Sequence, residues 1–313
     1  MTEIRREGVP LRENPVLRRE LIERVRGVKV VVFLTLWLAL LTGILLLAYQ
    51  ASVALSGFDT IDVARLGRVG RELFEWVLFG VLVLVLFLVP GLTAGAVTGE
   101  RERQTLVPLQ MTMMRPRDII IGKLSAALAF LVLLVVAAAP LLAVSFLVGG
   151  IRLLDVFRGI GMLLFTGLVL GAVCVWISAK LRRTTAATVL AYGVAFVFAI
   201  GSFFGMIAWS IGDASRGNDD VNPPAELLAL NPAAAIGDAL PRSGVNAQFG
   251  PDETVTPFGG MRVLIDELGD GNFGDGERGP RVWLYYTIIG VGLLVVSVRQ
   301  SAKAVSTPAD SER

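Results

Sequence analysis

Six long apolar runs decide most of what this chain can fold into. They cover roughly residues 28–49, 76–97, 124–148, 160–179, 184–211 and 282–298. A bilayer core needs about 20 apolar residues of helix, and lipid holds no water to satisfy an open backbone, so each run is expected to cross as an α-helix. The sixth run is at the short end and the fifth is long, so the fifth is expected to be tilted or broken. The fold class that follows is an all-α membrane protein with six transmembrane helices, residues 1–313 forming one transmembrane domain. The excess of hydrophobic residues, 54% of the chain, lies in these runs rather than in the alternating patterns of a soluble domain.

The first 29 residues mix eight basic with five acidic side chains and no cleavage-like site follows, so the first run is expected to stay as an anchor. With the N-terminus inside, the inside segments carry 19 Lys and Arg and the outside segments 10. The positive-inside rule therefore favours an N-in/C-in layout. Residues 1–28 and 99–123 are then cytoplasmic, and 213–281 form one large extracytoplasmic loop. Arginine outnumbers lysine 25 to 4. With abundant Ala, Val and Gly this suggests a GC-rich bacterial source, and hence a multi-pass protein of the bacterial cell (inner) membrane.

Several chemistries are excluded at once. There is no histidine and one cysteine, Cys174, so His-based metal sites, triads and an intrachain disulfide are ruled out. Gly122-Lys123 is followed by Leu124, and Arg117 stands where a phosphate-binding loop needs its first glycine. Asp270 to Glu277 superficially resembles a calcium loop, but Gly274 and Asp275 occupy the fifth and sixth positions, so the register fails. No run interior carries Asp, Glu, Lys or Arg; Glu72, Glu75, Arg152 and Arg158 sit at the edges. Ion-coupled transporters place an ionisable group at mid-membrane. No catalytic residue, bound cofactor, metal or nucleic-acid partner is therefore expected.

The polar segments carry the remaining signals. Asn14-Pro15 reads as a helix start, and Leu17, Leu21, Val25 and Val28 then share one face, with Arg18, Arg19, Glu20 and Glu23 off it and Arg24 at its edge. This predicts an N-terminal interfacial helix against lipid phosphates, or a docking surface, or both. Gly91, Gly95 and Gly99 repeat every four residues, a spacing that lets helices approach closely, as do Gly167/Gly171 and Gly201/Gly205. Pro90 and Pro140 are expected to kink their spans. The outside loop is expected to hold short helices near 225–229 and 233–240 and to be loop-like beyond. The aromatic cluster Phe196, Phe198, Phe203, Phe204 and Trp209 suits a lipidic cargo, but equally packing or an interface belt.

The most distinctive stretch is 99–123, GERERQTLVPLQMTMMRPRDIIIGK, far longer than a link between spans requires. Glu100 and Glu102, with Arg101 between, precede Thr105. Leu106, Leu109 and Met113 fall on one face of a short helix, and the methionines make an adaptable apolar surface. Pro108 fits only in that helix's first turn or at a bend. Read without a partner, the stretch is a solvated loop; its length, apolar face and acidic pair favour a protein contact.

This segment resembles the cytoplasmic loop of ABC transporter type-2 permeases, the membrane subunits of many bacterial exporters. Glu100, Glu102, Thr105, Leu106, Thr112, Ile119, Gly122 and Lys123 match that pattern without a gap, while Gln104 replaces the usual Gly, Val107 an acid, Pro108 an aliphatic and Met113 a Pro. The N-terminal NPVLRRELIERVR is similar to the family's opening interfacial helix. The resemblance implies a permease subunit that is not itself an enzyme, in an exporter driven by a separate cytosolic ABC ATPase carrying ATP-Mg. It implies that Glu100–Met114 acts as a coupling helix between spans 2 and 3, with Arg18–Arg24 and Lys180–Arg183 as lesser contacts. A second permease copy or a homologous permease would complete a 12-span unit. A membrane scaffold or sensor recruiting another cytosolic partner, or a secondary transporter, are the alternatives.

Overall fold

Six helices long and apolar enough to cross a membrane lie where the apolar runs predicted them. The structure is a computed structural model, and it describes residues 27–56, 63–105, 115–214, 225–240, 256–268 and 281–306. The elements are α1 (Val28–Ser56), α2 (Val63–Thr93), a short α3 (Thr98–Glu102), α4 (Pro116–Val148), α5 (Leu153–Lys180), α6 (Thr184–Phe196) and α7 (Ser202–Ala214). A 3-10 turn (Ala225–Leu230), α8 (Pro232–Ala239), α9 (Pro257–Leu268) and α10 (Val282–Ser306) follow. There is no strand among the described residues. The predicted interfacial helix, with Arg18, Arg19, Glu20, Glu23 and Arg24, lies outside the described residues, as does the calcium-like stretch 270–277.

Two helices form the centre. Of the most apolar window, 61% is buried on α2 and 56% on α5, against 11% on α1 and 22% on α6 and α10. Phe74, Leu78, Leu82 and Val85 of α2 pack with Leu131 and Leu134 of α4, Leu163 and Leu170 of α5 and Leu41 of α1. Tyr286 of α10 donates to Thr166 of α5 at 2.9 Å, and its ring meets Phe165 edge-on. The outer faces of α1, α6, α7 and α10 expose Leu, Val, Ile and Phe, as a lipid-facing surface requires. Phe196, Phe204 and Trp209 are among these exposed residues.

The α4–α5 turn depends on glycine. Gly149 and Gly150 take φ of +104° and +81°, which side chains resist. The turn lies directly against the start of α2: a Cβ on Gly150 would collide with the Gly67 carbonyl, and one on Gly70 with the Gly149 carbonyl. Gly167 and Gly171 similarly leave room for Leu131 and Leu124 of α4. Gly201 and Gly205 do not bring in a second helix: Gly201 faces only its own Val197, and Gly205 has open space.

The fifth run is broken, as its length suggested. Its middle, Val197–Gly201, widens into one π-helical turn between α6 and α7. Such a turn leaves backbone groups out of the regular ladder. Asn231, entirely buried, supplies the remedy from the loop beyond. Its Nδ2 donates to the Ala199 carbonyl at 3.2 Å and to Ser202 Oγ at 2.8 Å. Its Oδ1 accepts from the N–H groups of Ala233 and Ala234, capping α8. One amide therefore joins the π turn to a buried helix of small residues that packs against α5, α9 and α10.

The loop beyond α8 departs from expectation. Residues 257–268 form the helix α9 and not loop: Thr256-Pro257 starts it and tertiary contacts hold it despite its two glycines. Thr256 caps it by accepting from Gly259 N–H at 2.9 Å and donates to Glu75 Oε2 at 2.7 Å. Arg262 reaches Glu75 Oε1 at 2.8 Å and donates through Nε to the Gly237 carbonyl at 2.9 Å. Phe258 packs edge-on against Phe79. Glu75, at the edge of the apolar run, is nonetheless inside a helix and buried: α2 begins at Val63, and Glu75 is 1% exposed, also contacted by Arg71 at 3.3 Å.

Two stability effects follow. Replacing Asn231 with Ala strands the Ala199 carbonyl and the α8 cap, and should cost about 1–3 kcal/mol in thermal unfolding of the purified protein; Asn231→Asp keeps the cap acceptor but loses the donor and should not rescue it. Glu75→Gln leaves the buried Arg262 without its counter-ion and should cost about 3–5 kcal/mol; Arg262→Met leaves Glu75 with Arg71 and should cost less. The double variant should cost clearly less than the sum, which a double-mutant cycle reads directly.

Candidate functional site

The polar segment after span 2 is built by the way α2 ends. Beyond Thr93 the chain turns through 94–97 and resumes as the one-and-a-half-turn helix α3. Its own N-cap, Val97, has no side chain able to take the first N–H groups. Ser178 near the end of α5 does so: its Oγ accepts from Val97 N–H at 3.0 Å and Thr98 N–H at 3.1 Å, with the Thr98 hydroxyl at 3.3 Å. A small apolar core of Val97, Ile120, Val175, Ala179 and Val305 sits beside this contact, where α4, α5 and α10 meet.

Three consecutive residues of α3 then grip three different helices. Glu100 Oε1 pairs with Lys123 of α4 at 2.8 Å, and the lysine side chain is only 4% exposed. Arg101 Nη1 donates to the Leu181 carbonyl at 2.8 Å and Nη2 lies 3.5 Å from the Ala179 carbonyl, so a cation sits at the negative end of α5. Glu102 accepts from Thr184 N–H at 2.7 Å and from the Thr184 hydroxyl at 2.8 Å, capping the positive end of α6. Lying beyond the apolar run, the Glu102 carboxyl is held below its usual range, first by the Thr184 N–H, then by the Thr184 hydroxyl, with Arg183 adding a smaller pull.

The segment Glu100–Met114 is not one unbroken helix. Gln104 adopts φ +56°, Gln104 N–H returns to the Arg101 carbonyl and Thr105 N–H to the Glu100 carbonyl. That is a Schellman stop, whose left-handed position favours glycine. The structure thus gives a reason for the Gly that the related pattern carries where this chain has Gln104. Thr105 is exposed just past the stop; Leu106, Leu109 and Met113 lie outside the described residues, as does Pro108.

The glycine ladder leading into α3 faces α6. A Cβ on Gly91 would meet the Tyr192 hydroxyl at 2.9 Å, and one on Gly95 would touch Thr184 Cγ2 at 3.4 Å, while Gly99 has open space. Lys180 stands over the Trp176 ring at 4.5 Å, and Arg183 is the N-cap residue of α6. Ser178 and Thr184, which complete the junction, were not singled out by sequence. Isolated hydroxyl residues at span ends carry no periodic signal.

A six-span helical bundle with the short polar helix α3 after its second span is the context for the comparisons with known proteins. A protein-family model described as ABC-2 family transporter protein matches residues 41–298. The chain belongs to the ABC-2 transporter family. No curated protein matches it. This ABC-2 family chain is a multi-pass membrane permease subunit and not itself an enzyme, and membrane subunits of the family generally work with an ATPase partner.

The left-handed stop gives a test of the local geometry. Gln104→Gly removes the side-chain penalty of that conformation and should stabilise the α3 junction by about 1 kcal/mol. Hydrogen exchange at the amides of Gln104 and Thr105 should slow in this ABC-2 chain; Gln104→Val should speed it.

Proposed function

We propose that this chain is the permease half of an ATP-driven exporter in the bacterial inner membrane, moved by a separate cytosolic ATPase that holds ATP-Mg and docks on the 99–123 link. The observation that carries the reading is the grip of α3 on α4, α5 and α6 through Glu100, Arg101 and Glu102. A push or pull on this one turn reaches spans 2 to 5 together. An ATPase that binds the link differently in its ATP-bound and free states would therefore shift the whole bundle between two arrangements.

This division of labour gives the acidic pair a specific part. Glu100 and Glu102 face their own chain and transmit force, while the docking surface begins where α3 stops, at Thr105 and the apolar residues Leu106, Leu109 and Met113. The N-terminal Arg18–Arg24 helix adds a second contact, and a second permease copy or homologous permease completes the pathway. Glu75 does not favour ion-driven transport: two arginines and Thr256 already occupy its oxygens.

Cysteine chemistry tests the docking. Cys174 is buried, so Thr105→Cys places the one accessible thiol at the proposed contact. In native membranes it should cross-link to an ATPase of the ABC class, and the purified complex should hydrolyse ATP in a way that Glu102→Lys uncouples from transport. Recovery of cross-linked partners that never include an ATPase would overturn the proposal.

A further inference from the structure

A cleft of about 700 Å³ opens at the α3 end of the molecule, between the first turns of α4 and the last turns of α10. Neither the α3 grip nor the family reading uses it. Arg115 and Arg117 line one wall and Arg299 and Lys303 the other, with Asp118 the one acid among its lining residues. All four basic residues are exposed.

The lining changes character along the helices. Val296, Arg299 and Lys303 recur at three- and four-residue spacing, so they share one face of α10. On α4, Ile121 lies one turn beyond Arg117. Ile121 and Val296 are the lining residues nearest the middle of their spans, and Val296 is 52% exposed, so its own chain does not cover it. The cleft is thus apolar on the bilayer side and cationic at the membrane boundary.

We propose that this cleft binds the phosphodiester headgroup of an anionic phospholipid, with the first part of its acyl chain against Ile121 and Val296. Basic pockets between membrane helices at the boundary suit such headgroups. A free phosphate would have no use for the apolar wall. An acidic protein surface could meet the arginines but not the residues that face lipid. The arginines suit the ligand because a planar guanidinium takes two phosphate oxygens at once. The proposal rests on the membrane reading of α4 and α10 and not on the ATPase coupling, so either can fail alone.

The test uses the full-length protein in nanodiscs of phosphatidylcholine with and without phosphatidylglycerol, with retained lipid counted by native mass spectrometry. The wild type should retain phosphatidylglycerol in preference to phosphatidylcholine. Arg117→Gln and Arg299→Gln should each weaken retention about five-fold. Val296→Glu should weaken it as well, and Arg299→Lys, which keeps the charge but not the two-pronged guanidinium, should fall between wild type and Arg299→Gln. Thermal unfolding of each variant confirms that the bundle is intact. Equal retention of the two lipids, or unchanged retention in the double Gln variant, would overturn the proposal. So would displacement of the lipid by inorganic phosphate, which marks a phosphate site. A double variant that keeps its lipid but loses a co-purifying ATPase would mark a protein interface and overturn it too.

Discussion

Lipid cannot satisfy a backbone N–H or C=O, and this chain repeatedly interrupts its helices. Four of these interruptions have a partner supplied from elsewhere in the sequence. The π turn in the fifth span hands its Ala199 carbonyl to Asn231. The restart of the chain at α3 gives two N–H groups to Ser178. The start of α6 gives one to Glu102, and that of α10 gives the Trp283 N–H to Asp238. The breaks and their partners are far apart in sequence, so the same bonds that make the breaks tolerable also fix which helices are neighbours. Apolar packing supplies most of the contact area, but it is non-directional and does not choose among arrangements in the same way.

The two ends of the bundle use this constraint differently. At one end, α8 and α9 are folded onto α2, α5 and α10 through a buried amide and the Glu75–Arg262 pair. A pair of that kind contributes little net stability over well-packed apolar residues. Its geometry, however, admits one placement of α9 against α2. At the other end, α3 is short, half-exposed and held by bonds to two helix termini and to one side chain, Lys123. Bonds at termini can break without opening a helix interior, so this end has the lower cost of rearrangement.

The spans were legible because about 20 consecutive apolar residues have few alternatives to a membrane helix. Their ends were not. Residues 63–75 look like a charged link, with Arg65, Arg68, Arg71, Glu72 and Glu75, yet they extend α2. The length of a helix that protrudes from lipid is set by what it meets there, here α9 and the Gly149–Gly150 turn. In the same way PFGGMRVLIDEL carries two glycines, which weaken a helix, and is held as α9 where Arg262, Phe258 and Thr256 find partners on α2 and α8; its start, Thr256-Pro257, was as legible as Asn14-Pro15. The site was half legible. Charge order picked out Glu100–Glu102 as an unusual cluster, but sequence carries no record of where a side chain turns.

That direction alters what the cluster does. An acidic pair exposed to solvent would be a docking patch, and its attraction to a partner would fade with salt. Glu100 and Glu102 spend their charge within the chain, on Lys123 and on the first N–H of α6. Lys123, nearly buried, has a strong need of its carboxylate, whereas Glu102 caps a helix from an exposed position. The two acids are therefore placed unequally: Glu100 ties the turn to a nearly buried lysine of span 3, and Glu102 caps α6 from an exposed position. Release of Glu102 would free the start of the fifth span, whose other weak point is the π turn in its middle. The segment from Thr184 to Asn231 thus has a releasable bond at its start, a single amide at its far end, and an irregular turn between them. Under the proposed coupling, it is the span whose polar ties α3 reaches most directly.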